Sequence, residues 1–461
     1  MSNLLIKMTF QAKLTTKSES YSVDETVIEL SNTVDRDQLN EIVRNLLKQL
    51  GKLATDEVDV GKLNFEFYIG KRLLRLNVEQ HLKLYSDEID VEGILSEKLV
   101  EVEYTIPVDS PKPLDTITLD DWVSCVDANK SYIISGSYDN SIRIFSIKDR
   151  QNIITLSNAH EKPVTRVKFI DDHPNSKRVE KKNDYVHFVS CGHDEVSILR
   201  RFSTKTNKVE TVCAFRGHNR SVNCIDTFDD LIATGSFDKT LRIWSIAEES
   251  NNIEDIDENN SAAGDELKNK KTKKQRTKTS EKSIEKKHRS ALMTLTGHQE
   301  SVTGVKWLGN CNEYNSVATC SMDRMICIWD IEVGECKRKV LSAKPLLGLD
   351  YCGEKNIIIS ANCDRHIRYW DARAPDNATA SSVYTSHSAW VSSVAFGHHS
   401  TNNFISGGYD NLVKLWDLRS PKACLYDLIG HHDKVLDVNW SNPGHVLSGS
   451  ADASLKVFAT N

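Results

Sequence analysis

Along the C-terminal three quarters of the chain, one hydrophobic and polar pattern recurs. A short run of apolar and small residues contains a hydroxyl, an Asp follows four residues after it, and six residues after the Asp an aromatic residue closes a second apolar run. The pairs are Asp139 and Phe145, Asp238 and Trp244, Asp323 and Trp329, Asp364 and Trp370, Asp410 and Trp416, and Asp452 and Phe458. A seventh, Asp194, heads a degenerate copy ending near Phe202. The hydroxyls are Ser135, Ser190, Thr234, Thr319, Ser360, Ser406 and Ser448. Four copies add a histidine upstream of the Asp (His218, His298, His387 and His431), and His160 fills that role at longer range in the second copy. In the third copy Leu231–Ser236 reads as a strand, Phe237-Asp238-Lys239 as a turn, and Leu241, Ile243 and Trp244 as the returning strand. Each unit is thus a small antiparallel sheet with two faces to bury, and radial stacking of such sheets buries both. The chain ends three residues after Phe458, whereas residues 115–119 alternate like a strand ahead of the first repeat. Residues 115–119 are expected to complete the last sheet and close the ring.

The first 107 residues follow other periods. Ile6, Met8 and Phe10 alternate, and a second strand is expected within Ser20–Leu30. Leu39, Ile42, Val43, Leu46, Leu47 and Leu50 then mark one face of a helix that Asp35 or Asp37 can cap. Phe65, Phe67 and Ile69 alternate, Asn77 can cap a short turn through Leu82, and Leu99–Thr105 reads as a closing strand. Pro107, Pro111 and Pro113 make residues 108–114 a stiff linker to the repeats at 115–461.

The repeats resemble the WD-repeat family, whose dipeptide stands here as Trp329-Asp330, Trp370-Asp371 and Trp416-Asp417. The resemblance implies a mainly β fold, a seven-bladed WD-repeat β-propeller preceded by a small ubiquitin-like β-grasp domain. A His, a hydroxyl, an Asp and a Trp per blade have the composition of a catalytic triad, but a constellation repeated at fixed spacing is a buried hydrogen-bond network. Its members are His218, Thr234, Asp238 and Trp244 in blade three, His298, Thr319, Asp323 and Trp329 in blade four, and His387, Ser406, Asp410 and Trp416 in blade six. Blades one and five lack the His, blade seven has Phe458 in place of Trp, and blade two is irregular, so these are expected to be the softer parts of the ring.

A ubiquitin-like domain ahead of a WD propeller is similar to two sibling families of ribosome-assembly factors. One is the Notchless type, which usually shows eight repeats. The closer is the WD-repeat subunit of the complex that also contains pescadillo and a block-of-proliferation protein. That resemblance implies a non-enzymatic scaffold of a pre-60S particle, acting in nucleus, nucleolus and nucleoplasm on maturation of the 25S/28S and 5.8S rRNA precursors. It implies as partners a pescadillo homologue, a block-of-proliferation WD-repeat protein and a midasin-type AAA ATPase. In these families an acidic side chain of the ubiquitin-like domain completes a divalent-ion site, Mg2+ or similar, on the ATPase, and Glu97 in Gly93–Leu99 matches it. The chain would then need no cofactor of its own.

Composition narrows the alternatives. With Lys and Arg totalling 59 against 65 Asp and Glu, the net charge of −6 removes any bulk attraction to nucleic acid. Charge is instead segregated in an insert at residues 247–290, expected between blades three and four. Glu248–Glu266 is acidic, and Lys268, Lys270, Lys271, Lys273, Lys274 and Arg276 form a basic block suited to nuclear import or to pre-rRNA phosphates. Eleven cysteines with no C-x-x-C pair point to a reducing compartment, and no apolar run reaches the length of a membrane span. No two glycines are placed as G-x-G or G-x-S-x-G requires, which excludes dinucleotide-binding, kinase and nucleophile-elbow signatures. Trp370-Asp371-Ala372-Arg373 and Trp416-Asp417-Leu418-Arg419 resemble the W-D-x-R motif of cullin-4 ligase receptors, making Arg373 and Arg419 candidate partner contacts. A signalling scaffold resembling a G-protein β subunit would need a helical N-terminus, which the alternation at residues 4–10 opposes.

Overall fold

The computed structural model describes residues 9–16, 21–23, 27–51, 63–70, 72–84, 99–170, 185–246, 288–309, 316–376, 379–397 and 400–460. The N-terminal domain is a five-stranded sheet in the order Val27–Ser31, Thr9–Thr15, Leu99–Thr105, Glu66–Ile69, Arg72–Leu73. The two central strands are parallel, with Gln11 opposite Leu99 and Thr15 opposite Glu103. One helix, Arg36–Gln49, covers the sheet. Asp35 caps it reciprocally: Gln38 N donates to Asp35 Oδ1 at 2.9 Å, and Asp35 N to Gln38 Oε1 at 3.2 Å. Leu39, Val43 and Leu47 are buried against Phe65, Phe67, Val102 and Tyr104, whereas Leu50, past the last turn, is 42% exposed. Asn40 shares the buried face because its amide satisfies both Phe65 N (2.6 Å) and Phe65 O (3.2 Å). Asn77 accepts from Gln80 N at the start of a second helix, Val78–Leu84. The second strand, Val27–Ser31, is shorter than the run expected to hold it, and Arg72–Leu73 adds a two-residue edge. Ile6 and Met8 lie outside the described residues.

Seven further sheets follow, each with its first strand innermost. The inner strands are Val123–Ala128, Val164–Phe169, Val222–Phe228, Val302–Trp307, Leu346–Cys352, Val391–Gly397 and Val435–Asn439. Each touches the next, and the seventh touches the first. The ring is stitched by side chains on these strands. Asp127 accepts from Phe169 N, Asp226 from Trp307 N, Asp350 from Phe396 N and Asp437 from Val126 N, at 2.7–3.0 Å. Lys168 pairs with Asp127, Lys306 with Asp226 and Asp350, and Arg166 with Asp437, so the carboxylates facing the central channel are compensated.

The final blade is completed by the segment ahead of the first. Ser454–Ala459 pairs antiparallel with Lys112–Thr118, from Ser454 opposite Thr118 to Ala459 opposite Lys112. The closing strand thus begins three residues before the expected 115, within the proline segment. Pro113 is accommodated because it lies on an edge strand, opposite Phe458 where the register shifts.

The charged insert is placed differently from the expectation. It leaves after Thr240–Ser245, the third strand of blade three, and the chain returns to form that blade's own outer strand, Met293–Thr296. The insert therefore interrupts blade three instead of joining blades three and four. On its return, His288–Arg289 pairs parallel with the outer strand of blade two, Lys208–Phe215, as a fifth strand. A repeat in sequence ends at the aromatic of the third strand, whereas a blade ends one strand later, and the insert falls in that offset.

Candidate functional site

The repeated polar residues form one arrangement, strung between the turn after each second strand and the loop entering each blade. In blade four His298 Nδ1 lies 2.9 Å from Asp323 and Nε2 2.7 Å from Thr319 Oγ1, which accepts the indole N–H of Trp329 at 2.7 Å. Blade three repeats it with His218, Asp238, Thr234 and Trp244 at 2.7–2.8 Å, and blade six with His387, Asp410, Ser406 and Trp416 at 2.7–3.0 Å. A neutral imidazole donates from Nδ1 to the carboxylate and accepts the hydroxyl proton at Nε2, so each group is satisfied. Thr234, Thr319 and Ser406 are fully buried, and each already accepts from an indole. Nothing from solvent reaches them, and the order Ser/Thr–His–Asp serves here as an internal brace.

The irregular blades show how the brace is replaced. In blade one Arg143, four residues after Asp139, bonds it at 2.8 Å, and in blade five Arg368 bonds Asp364 at 2.7 Å. These arginines take the place of the missing histidines, and sequence reasoning missed them. The Asp-x-x-x-Arg spacing was visible, but Arg242 shares it in a blade that keeps its His. In blade two His160 bonds Asp194 at 2.9 Å and Ser190 at 2.8 Å. Arg200, not Phe202, stands at the Trp position and donates to Ser190 Oγ and Ala159 O. Phe202 packs instead among Tyr132, Ile144 and Phe188. Blade seven keeps His431 between Asp452 (3.1 Å) and Ser448 (2.7 Å), with Phe458 supplying area and no donor.

Two predictions follow from this chemistry. Blade one has neither His nor Trp, and Ser135 Oγ is buried with no hydrogen-bond partner among the described residues. Ser135→Ala should raise stability by about 1 kcal/mol, read from the urea midpoint, by removing an unsatisfied hydroxyl. The second concerns pH. Burial alone would raise the Asp323 and Asp452 pKa values, but hydrogen bonds, from His298 to Asp323 and from Ser454 to Asp452, help to hold each carboxyl at about 2. Burial pushes His431 below its ordinary value near 6.5. The depressed base costs stability as pH falls below about 6.5, because the unfolded chain protonates first. The depressed acids contribute stability that is present above about 4 and is lost as pH falls towards 2. A melting-temperature series should decline gently below pH 6.5 and steeply below pH 4.

The two W-D-x-R arginines occupy different environments. Arg373 closes on Asp371 (3.0 and 3.1 Å) at the surface, with 66% of its side chain exposed. Arg419 closes likewise on Asp417 (2.8 and 3.0 Å) but is covered by the N-terminal domain. Its guanidinium lies 3.5 Å over the Tyr68 ring and donates to Tyr68 Oη at 2.7 Å. Tyr68 and Asp417 are each 1% exposed, and Glu66 sits beside them, its carboxyl raised by burial. Leu73 N donates to Arg419 O at 3.1 Å, and Arg75 donates to Ser420 Oγ (3.2 Å) and Cys424 O (2.8 Å). The edge strand Arg72–Leu73 thereby anchors the N-terminal domain on blade six. Glu97 and the basic block Lys268, Lys270, Lys271, Lys273, Lys274 and Arg276 lie outside the described residues. The ten described cysteines are free thiols, and no group of three or more His, Cys, Asp or Glu among the described residues is placed to hold a metal.

Comparison with known proteins bears on both parts of the chain. The NLE (NUC135) domain family matches residues 10–82. The family described as WD domain, G-beta repeat matches 112–146, 209–245, 289–330, 379–417 and 422–458, which leaves unmatched the third strands of blade two, where Arg200 replaces Trp, and of blade five, which has no His. The ribosome biogenesis protein WDR12 homolog of Ixodes scapularis is 39% identical over 450 residues, 97% of this chain and 98% of the relative. Those of Drosophila mojavensis and Aedes aegypti are each 32% identical, over 98% and 97% of this chain and 95% of the relative.

Proposed function

The chain belongs to the family of WD-repeat ribosome biogenesis proteins that carry an NLE domain, and we propose that it acts as a scaffold in assembly of the large ribosomal subunit. The observation that carries this reading is likeness over nearly the full length, handle and ring together, to relatives named for ribosome biogenesis. In this reading the ring holds protein partners on its faces, among them a pescadillo homologue and a block-of-proliferation WD-repeat protein, within a nucleolar pre-60S particle. The N-terminal domain is the handle for a midasin-type ATPase, which removes the chain when assembly is done. The basic block Lys268–Arg276 serves nuclear import or rRNA contact. The scaffold needs no catalytic group, in keeping with hydroxyls that are sealed within the blades.

The docking chemistry falls on Glu97, which directly precedes the parallel central strand beginning at Leu99 by two residues. A carboxylate offered from the domain could complete the octahedral shell of a divalent ion held by the ATPase. Glu97→Ala should leave the melting temperature and particle incorporation unchanged while the chain accumulates on pre-60S particles. Sucrose gradients of cells expressing the tagged variant measure this, and normal recycling of the variant would refute the ligand role. In the same cells, recovery of large-subunit precursor rRNA with the wild-type chain tests the scaffold reading. Recovery of a cullin adaptor without ribosomal material would replace it.

A further inference from the structure

One face of the ring is divided into halves of opposite chemistry. On this face the loop entering each blade meets the turn between that blade's second and third strands: Tyr138 N donates to Trp122 O at 3.0 Å, His193 N to Pro163 O at 2.9 Å, and Tyr409 N to Trp390 O at 2.8 Å. On blades six, one and two the rim is aromatic, while blade seven, between six and one, carries no Trp, Tyr or Phe in these segments and blade three has Phe237 alone, 42% exposed. Trp122 and Tyr138 meet edge to face at 5.4 Å, Tyr138 and His193 at 6.1 Å, and Trp390 stacks on Tyr409 at 5.8 Å. Lys434 of blade seven reaches over the Tyr409 ring at 5.4 Å, so a cation of the chain already lies against this rim. Trp122 and Trp390 remain 45% and 49% exposed, an unusual condition for large rings that pack on other rings.

The charges around these rings are mostly acidic. Asp121, Glu161, Glu195 and Asp433 stand in the same loops and turns against Lys162 and Lys434, and Asp120 joins them while paired with Arg143 at 2.6 Å. On blades three to five the equivalent positions carry Arg220, Lys239, Arg324, Lys344 and Arg365 against Glu300. Only Lys239 among these cations has an acid within ion-pair distance among the described residues, Glu300 at 3.7 Å.

We propose that the aromatic and acidic half of this face docks a Lys- and Arg-rich segment of a protein partner, with cationic side chains laid on the exposed indoles. An indole face attracts a guanidinium or ammonium, and surrounding carboxylates add long-range attraction and orientation. Exposed Trp and Tyr are also the residue types on which binding energy concentrates. A nucleic-acid strand fits this half poorly, because stacking its bases on Trp122 sets phosphates beside Asp121, and the neighbouring loops add Glu161, Glu195 and Asp433. The proposal is independent of the role of the N-terminal domain, whose hydrogen bonds to the ring among the described residues are with residues 417–424, at and after the end of the third strand of blade six.

The test selects random 12-residue displayed peptides on the full chain, counter-selected against a Trp122→Ala/Trp390→Ala variant. Expected are sequences rich in Lys and Arg. A synthetic peptide of that sequence should bind at least about ten-fold more weakly to the double variant and to Glu161→Lys/Glu195→Lys, with unchanged melting temperatures. Its affinity should also fall as salt rises. The charge-reversed pair keeps the question answerable if the tryptophan variant fails to fold. Enrichment of acidic or uncharged sequences, enrichment that ignores the two tryptophans, or a 12-nucleotide single-stranded RNA whose binding depends on them would each overturn the proposal.

Discussion

Trp416→Ala should destabilise the ring by about 3–5 kcal/mol, the range for emptying a fully packed aromatic site. The Trp416 side chain is fully buried, stacked on Phe404 at 5.9 Å with planes 6° apart and met edge-on by Tyr384 at 5.7 Å. Around it Ile357, Ile359 and Ile367 of blade five and Phe396 of blade six complete one core, so a cavity here opens a seam between blades. The substitution also strips Ser406 Oγ of its indole donor while His387 stays bound. Trp416→Phe isolates that second effect, because it keeps most of the area and loses the N–H, and should cost about 1–2 kcal/mol. Urea unfolding followed by circular dichroism measures both. An unchanged midpoint for Trp416→Ala would contradict the placement of this side chain in the inter-blade core.

Arg419→Ala should undock the N-terminal domain from blade six. The substitution leaves the Asp417 carboxylate, now 1% exposed, without its counter-ion and removes the cation that covers Tyr68. Removing one member of a buried pair costs about 3–5 kcal/mol, and here separation of the domains relieves it by letting water reach Asp417. The expected signature is an unchanged fold in each part, faster proteolysis between residues 105 and 112, and a longer distance between dyes on the helix Arg36–Gln49 and on blade six. Arg373→Ala, at the same place in the other W-D-x-R motif, should leave both readouts at wild-type values because Arg373 is exposed. Equal behaviour of the two variants would refute the clasp. With the clasp intact, a force applied to the N-terminal domain passes directly into blade six.

The same two arginines mark the boundary of what could be read without coordinates. The residues of one brace lie within a single repeat, at intervals that recur because each blade must satisfy the same buried donors and acceptors. Such intervals survive in the linear chain, and they identified the networks of blades three, four and six and the aromatic at the end of the third strand in every blade but the second; the strand that closes the ring was legible from its own alternation, three residues short of its start. The helix Arg36–Gln49 was legible for the same reason: its period of 3.6 and the Asp35 cap are local properties. Two features within the repeats were hidden by degeneracy: Arg143 and Arg368 replace histidines with a residue type that also decorates surfaces, and Arg200 replaces an indole with a different donor.

Tertiary structure alone decided the rest. Tyr68 and Arg419 are 351 residues apart, and Trp122 and Trp390 share a face only because the ring closes. The insert's place within blade three, with His288–Arg289 crossing to blade two, likewise depended on which strand pairs with which. Periodicity reports which face of an element is buried, because burial selects residue types at regular intervals. It carries no mark of which distant surface does the burying, since a packed Tyr or a paired Arg satisfies the same local pattern against any partner of matching shape and charge.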